Sequence, residues 1–312
     1  MKTLAHALAF SLAMLIAPAS TFAQDGDTEA AETNDILVTG QRPLTDDEAR
    51  ILAQRYVGEL TVIDDDETLA LYEPDTYCPG VVGMTQRVNV AIRDRMRKVA
   101  EAAGVEPAGP DCQTSALVLF VDDKASFIEL FRQTHPEYFR SMKERRFTLH
   151  EEPGPVVSWR LAQEMDENGN PVQRTSGVSK ALPRGVKIVT SYSGGSRLRA
   201  MMSTAIAVSV VVIERGDLNG FSIDQLADYA LMRTLTDRSP EKLEGSGAPT
   251  ILTVLSTPIG GTAYGSVTEW DLAYLKERYE GDPRMYGDRK GASLRATLRD
   301  VAKTGRDEND DQ

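Results

Sequence analysis

The spacing of apolar residues along the chain predicts a series of helices around a central block of strands. Apolar positions recur at helical spacing after Thr45, which forms a predicted capping box with Glu48. The clearest predicted helix covers 85–103, where an apolar stripe ends before Gly104. Further helices are predicted over 124–133, from Ser222, from Ser266 and over 292–303.

Two apolar runs, 116–121 and 201–213, are rich in the residues that favour strands. The second run is too short to span a membrane, so we expect a buried strand there. Residues 156–165 and 172–174 flank an Asp-Glu-Asn-Gly-Asn turn and predict a hairpin. Strands that lie between groups of helices favour a single α+β domain over 44–303, with a mostly antiparallel sheet and several packed helices.

The first 23 residues have the pattern of a cleaved signal peptide. Lys2 supplies a positive start, 8–16 form a short apolar stretch, and Thr21 and Ala23 supply the small residues before a cleavage site at Gln24. We therefore expect a periplasmic or secreted protein without a transmembrane segment after cleavage. No cysteine lies near the cleavage site, which argues against a lipid anchor.

Both ends of the mature chain are acidic and are predicted to be disordered, over 24–43 and 304–312. The leader ends in a β-prone segment, 36–42 (ILVTGQR), which resembles the VTGQR-like motif near the start of many TonB-dependent receptors. That resemblance implies a short strand that docks onto a partner. A peripheral strand or a plain linker is the alternative.

The formal net charge of the whole chain is −12, from 47 acidic and 35 basic residues. Such a charge repels phosphate backbones, so nucleic acid is excluded as a partner class. The helix over 85–103 is nevertheless basic, with Arg93 and Arg97 among its arginines. This basic face either receives an acidic partner or the chain's own acidic ends, or is simply solvated.

The chain contains two cysteines, Cys78 and Cys112. In an oxidising compartment an even pair predicts a disulfide. A redox or metal-binding thiol pair is the alternative, although the spacing is not Cys-x-x-Cys and no histidine is near.

Catalytic chemistry has few candidates in this sequence. After signal cleavage only His135 and His150 remain, and neither HExxH nor GxSxG occurs, so we predict no metal and no cofactor. Asp122 and Asp123 follow a predicted strand, where ligands often bind in α/β folds, but the pattern favours their being ordinary residues at the start of the next helix. Glu151 is a third carboxylate candidate.

Several longer segments carry a resemblance to a known group of proteins. They are CPGVVGM (78–84), LVLFVDD (117–123), GSRLR (195–199), QLADYALMR (225–233) and VTEWDLAYLKERY (267–279). Together they resemble an uncharacterised family of exported alphaproteobacterial proteins, which implies export and supplies no site residues. The chain is also similar to zincin-like domains, with QLADYALMR in the place of the metalloprotease helix. That segment lacks histidine, so the similarity implies a degenerate zincin-like fold without zinc peptidase activity.

The sequence therefore predicts an exported envelope protein that binds or scaffolds, with an unknown envelope protein or ligand as its partner. The alternative is a carboxylate-based hydrolase that acts on envelope polymer, with Asp122, Asp123 and Glu151 as candidate residues.

Overall fold

The computed structural model of the protein describes residues 44–63, 67–139, 152, 154–172, 196–197, 199–218, 220–243, 245–257 and 263–310. The predicted signal peptide and the leader with its β-prone segment lie outside these residues, so those predictions stand as made.

The described residues form six α-helices and five strands. The helices are α1 (Asp46–Leu60), α2 (Gln86–Ala102), α3 (Lys124–Thr134), α4 (Ile223–Leu235), α5 (Glu269–Tyr279) and α6 (Gly287–Asp310). The strands are β1 (Ala70–Leu71), β2 (Pro79–Val82), β3 (Ala116–Val121), β4 (Val156–Met165) and β5 (Ser203–Glu214).

The strands form one sheet in which β5 has three partners. One side of β5 pairs in parallel with β1 near Thr204 and with β3 from Ser209 to Glu214, and β3 in turn pairs in parallel with β2. The other side of β5 pairs with β4 in the antiparallel direction, from Ile213 back to Ser203.

The prediction of a mostly antiparallel α+β sheet is therefore wrong. Among the described strands β1, β2, β3 and β5 run in parallel, and only β4 runs against its neighbour. The physical reason is the connection between β2 and β3: helix α2 carries the chain back to the starting end of the sheet, and such a crossover makes neighbouring strands parallel. Strand β2 was not predicted because it contains Pro79 and Gly80, which are unfavourable inside strands.

Strand β3 contributes side chains to two separate cores. Val118 and Phe120 join the larger core, which includes residues of α1, α2, α4, α5 and α6, while Leu119 and Val121 pack in a smaller core with Phe131 of α3. Because helices cover both faces, the central strands are continuous apolar runs rather than alternating ones. In the part of the chain that the structure describes, no helix is long and apolar enough to cross a membrane.

Hydrogen-bonded side chains define where the helices begin. The predicted capping boxes of α1 and α4 both form. Helix α5 begins two residues later than predicted, because Thr268 rather than Ser266 caps it and Asp271 closes the box. Asp271 is buried and also accepts hydrogen bonds from Tyr56 and Thr250, both at 2.6 Å, so the same carboxylate joins α5 to α1.

The predicted disulfide between Cys78 and Cys112 is confirmed, with Cα atoms 6.1 Å apart. It joins the residue before β2 to the loop between α2 and β3. Closing a loop of this length in the unfolded chain stabilises the fold by about 3–4 kcal/mol on the chain-entropy account.

Asp237, which follows α4, lies at the centre of a buried ion network. Its carboxylate binds Arg278 of α5 at 2.7 Å, pairs with Arg160 of β4, and accepts a hydrogen bond from the Val62 amide at 2.9 Å. Arg278 is fully buried and also donates to the Ala70 carbonyl at 3.0 Å. Burial opposes the charge of Asp237, but the two arginines hold its pKa below the usual range.

We expect Asp237→Asn to lower the free energy of unfolding at pH 7 by about 3–5 kcal/mol, because two buried guanidinium groups lose the carboxylate that neutralises them. The depressed folded pKa means that this stabilisation is present above the unfolded pKa of about 4 and is lost as the pH falls through the lower folded value. Urea unfolding of both proteins over this pH range should show the difference shrinking in acid. The exposed Asp111→Asn change is the control, and a pH-independent difference would contradict the assignment.

Candidate functional site

Asp122 and Asp123 lie at the carboxyl end of β3, as predicted, and each already has a partner. Asp122 is exposed and pairs with Arg215, which follows β5, at 2.5 Å. Asp123 caps α3 and accepts a hydrogen bond from the Ser126 amide at 2.6 Å. The third candidate, Glu151, lies outside the described residues.

The environment of Asp123 suits capping better than proton donation. The Ser126 amide holds its pKa below the usual range. A general acid in glycoside hydrolysis needs the opposite shift, since it must stay protonated at the working pH.

The same end of the sheet is tied together by Lys124. Its amide donates to Glu214 at 2.8 Å, and its ammonium group donates to the carbonyls of Glu152 at 2.9 Å and Gly154 at 2.5 Å. Val156, the first residue of β4, pairs with Ile213 near the end of β5. The segment that leads into β4 therefore lies beside the carboxyl ends of β3 and β5.

A cavity of about 510 Å³ opens next to this segment. Its walls are the segment before β4, the face of α4 that carries Tyr229 and Arg233, the turn 239–241 and the 3₁₀ helix Ile251–Ser256. Leu252 and Leu255 make part of the lining apolar, and two serines and two glutamates make the rest polar. The carboxyl end of a parallel sheet is a common place for ligands to bind.

Arg233 is the best-anchored polar group of this cavity. Its Nη2 lies 2.5 Å from Glu152 Oε2 and 2.6 Å from Ser158 Oγ, and its Nη1 donates to the Tyr229 hydroxyl at 2.9 Å. The Ser158 amide donates to the other oxygen of Glu152 at 3.0 Å. Three elements, α4, β4 and the segment before β4, thus hold one ion pair in a fixed position.

The charge of Arg233 is retained despite its burial. Burial opposes the charged form, but Tyr229 and Glu152 hold the pKa of Arg233 above the usual range. Its Nε is buried and has no hydrogen-bond acceptor among the described residues. An unsatisfied buried donor costs about 1–3 kcal/mol, so the ion pair with Glu152 has to offset that loss as well as desolvation.

Sequence reasoning did not find Arg233 or Glu152. The spacing of Tyr229 and Arg233 places them on one face of a helix, which is visible in the sequence, but it does not reveal that an arginine faces the core. Glu152 directly follows the candidate Glu151 in the sequence, but no local pattern there indicates that it pairs with an arginine of α4.

Among the described residues two carboxyl groups have a raised pKa, and neither lines the cavity. Burial raises the pKa of Asp228 and of Asp271. Asp228 forms a bidentate pair with Arg95, at 2.8 and 2.9 Å, and Asp271 joins α5 to α1 as described above. Both positions are explained by the packing of helices.

The described residues contain no group of three or more histidine, cysteine, aspartate or glutamate side chains that could hold a metal ion. Comparison of the chain with protein-family models, with curated proteins and with solved structures finds no match. The resemblances to the exported family and to zincin-like domains therefore stay predictions, and the choice of site rests on geometry.

We expect Glu152→Gln to lower the free energy of unfolding by about 3 kcal/mol, because it leaves the buried guanidinium of Arg233 without its counter-charge. Glu241→Gln, at an exposed position on the same cavity, is the matched control and should change stability by less than about 0.5 kcal/mol. Urea unfolding measures both. Equal effects of the two changes would show that the Arg233–Glu152 pair does not stabilise the cavity wall.

Proposed function

We propose that this protein is an exported binding module, periplasmic or secreted, which holds a small ligand in the cavity beside α4 and does not transform it. The observation that carries this proposal is the ion pair of Arg233 and Glu152, fixed by three structural elements at the wall of the cavity. Preorganised polar groups of this kind orient a ligand without being reorganised by it.

The size and lining of the cavity support a small-molecule ligand. A volume of about 510 Å³ lies within the range of roughly 300–1,000 Å³ that is usual for ligand sites. The mixed lining offers an apolar surface from Leu252 and Leu255 together with hydrogen-bonding groups from Ser239 and Ser256.

A carboxylate-based hydrolase is the second candidate, favoured by one observation. Glu152 and Glu241 line the same cavity. Against it, one oxygen of Glu152 is already bound to Arg233 and the other accepts from the Ser158 amide, so the carboxylate is held against the cavity wall.

Export is proposed from the first 23 residues, and it leads to a direct prediction. The mature protein should begin at Gln24 and be found in the periplasmic fraction or the medium. N-terminal sequencing of the protein from fractionated cells measures this. A chain that keeps Met1 and stays with the cytoplasmic fraction would contradict export, and a Lys2→Glu variant that accumulates uncleaved would support it.

Filling the cavity should abolish ligand binding while leaving the fold intact. Ser256→Trp places a large side chain at the exposed rim, and Ser126→Trp on α3 is a matched control away from the cavity. Native mass spectrometry of the protein taken from its own envelope would detect a bound ligand. Calorimetry with N-acetylglucosamine, D-alanyl-D-alanine, glucose and inorganic phosphate would test defined probes.

We expect a bound mass or a binding isotherm in the parent protein and in Ser126→Trp, and neither in Ser256→Trp. Absence of both in the parent protein would contradict the binding proposal. Turnover of peptidoglycan by the parent protein that is lost in Glu241→Gln would instead favour the hydrolase.

A further inference from the structure

A second concave surface lies between helix α2 and strand β2. Strand β2 forms one edge of the sheet and is separated from β4 by β3 and β5. We call this surface the β2–α2 groove. Its volume is about 490 Å³, and both cysteines of the Cys78–Cys112 disulfide belong to its lining. The groove shares no lining residue with the cavity beside α4.

One wall of this groove is a strand edge that is open among the described residues. Strand β2 is the last strand of the sheet and pairs there only with β3. The Ala116 amide donates to the Cys78 carbonyl, so in the parallel ladder the peptide groups of Val81 point away from β3. Pro79 has no amide hydrogen, which leaves Val81 as the donor that an added strand would meet.

The other wall is a row of α2 side chains on a different face of the helix from the row that packs in the larger core. Gln86, Val90, Arg93 and Arg97 line the groove at helical spacing, whereas residues such as Met96 face the core. The groove therefore combines a strand edge with a polar helix face at its side.

The groove-lining face of α2 carries two arginines, Arg93 and Arg97, and one carboxylate, Asp94. Arg97 forms no ion pair within the part of the chain that the structure describes; it donates to the Ala108 carbonyl and lies 3.8 Å from Cys112 Sγ. Arg93 is exposed, and its one ion pair among the described residues is with its neighbour Asp94, at 2.7 Å. An exposed pair of this kind is weak and is easily exchanged for another carboxylate.

We propose that the β2–α2 groove binds an extended acidic segment of a partner protein as an additional strand of the sheet. The segment pairs with Val81 through its backbone, and its carboxylates bind Arg97 and Arg93. Main-chain pairing supplies affinity in this mode of recognition, and the flanking side chains supply selectivity. The guanidinium groups of Arg93 and Arg97 at the groove are the local charges that select an acidic segment.

The probe is a short synthetic peptide in which glutamate and valine alternate, with blocked ends and a fluorescent label. Anisotropy should show that it binds, and a peptide with lysine in place of glutamate should bind at least about tenfold more weakly. Arg97→Gln and Arg93→Gln should each weaken binding by roughly three- to tenfold. Arg50→Gln, on an exposed face of α1, is the matched control and should leave binding unchanged.

A second measurement separates strand addition from simple charge attraction. Hydrogen exchange of the Val81 amide should slow when the acidic peptide is bound, and the exchange of amides in α3 should not change. Equal binding of the two peptides, or unchanged affinity in both arginine variants, would overturn the partner chemistry. An unprotected Val81 amide with intact binding would overturn the strand addition. Because the cavity beside α4 is separate, Ser256→Trp should bind the peptide normally, so failure here and failure of the proposed ligand site are distinguishable.

Discussion

The buried pairing of Asp237 with Arg278 and Arg160 is the contact on which the arrangement of the larger core depends. It brings together the end of α4, helix α5, strand β4 and, through Val62 and Ala70, the chain between α1 and β1. These segments are distant in sequence, and apolar packing alone would allow each of them to slide. Burying two guanidinium groups costs several kcal/mol each, and they are tolerated here because the Asp237 carboxylate meets both, while the Ala70 carbonyl and the Tyr274 hydroxyl also accept from Arg278. The network therefore contributes a defined geometry more than a large net stability.

Local features of this fold could be predicted from the sequence, and pairing between distant segments could not. The capping boxes of α1 and α4 depend on two side chains three residues apart, so they are visible directly. The direction of the sheet depends on how β3 and β5 come together, across 88 residues from Val121 to Ser209. Strand β2 could not be predicted from its own residues either. Proline is confined to edges or the first position of a strand, and glycine weakens a strand. A strand before α2 gives the order strand, helix, strand, which is typical of parallel pairing.

The candidate site shows the same division between local features, which the sequence predicts, and contacts between distant segments, which it does not. The sequence places Asp122 and Asp123 at the carboxyl end of β3, because residues after a buried strand come to that edge of the sheet, but neither residue lines the cavity. The residues that line the cavity there were missed, since a buried arginine such as Arg233 is read from sequence as a surface charge. Glu152 neutralises Arg233 because β4 runs antiparallel to β5, which brings the segment before β4 next to α4. This pairing is a property of the tertiary structure and not of the local sequence.

The Cys78–Cys112 disulfide gives the β2–α2 groove a dependence on compartment. The bond fixes the entry to β2 against the loop that leaves α2, so both walls of the groove are held by the same covalent link. In a reducing cytosol the two cysteines are thiols, and the spacing of the walls rests on packing alone. If the chain is exported as proposed, it acquires a fully defined groove only after it crosses the inner membrane. Under the two proposals together, formation of the disulfide precedes binding of the acidic partner segment.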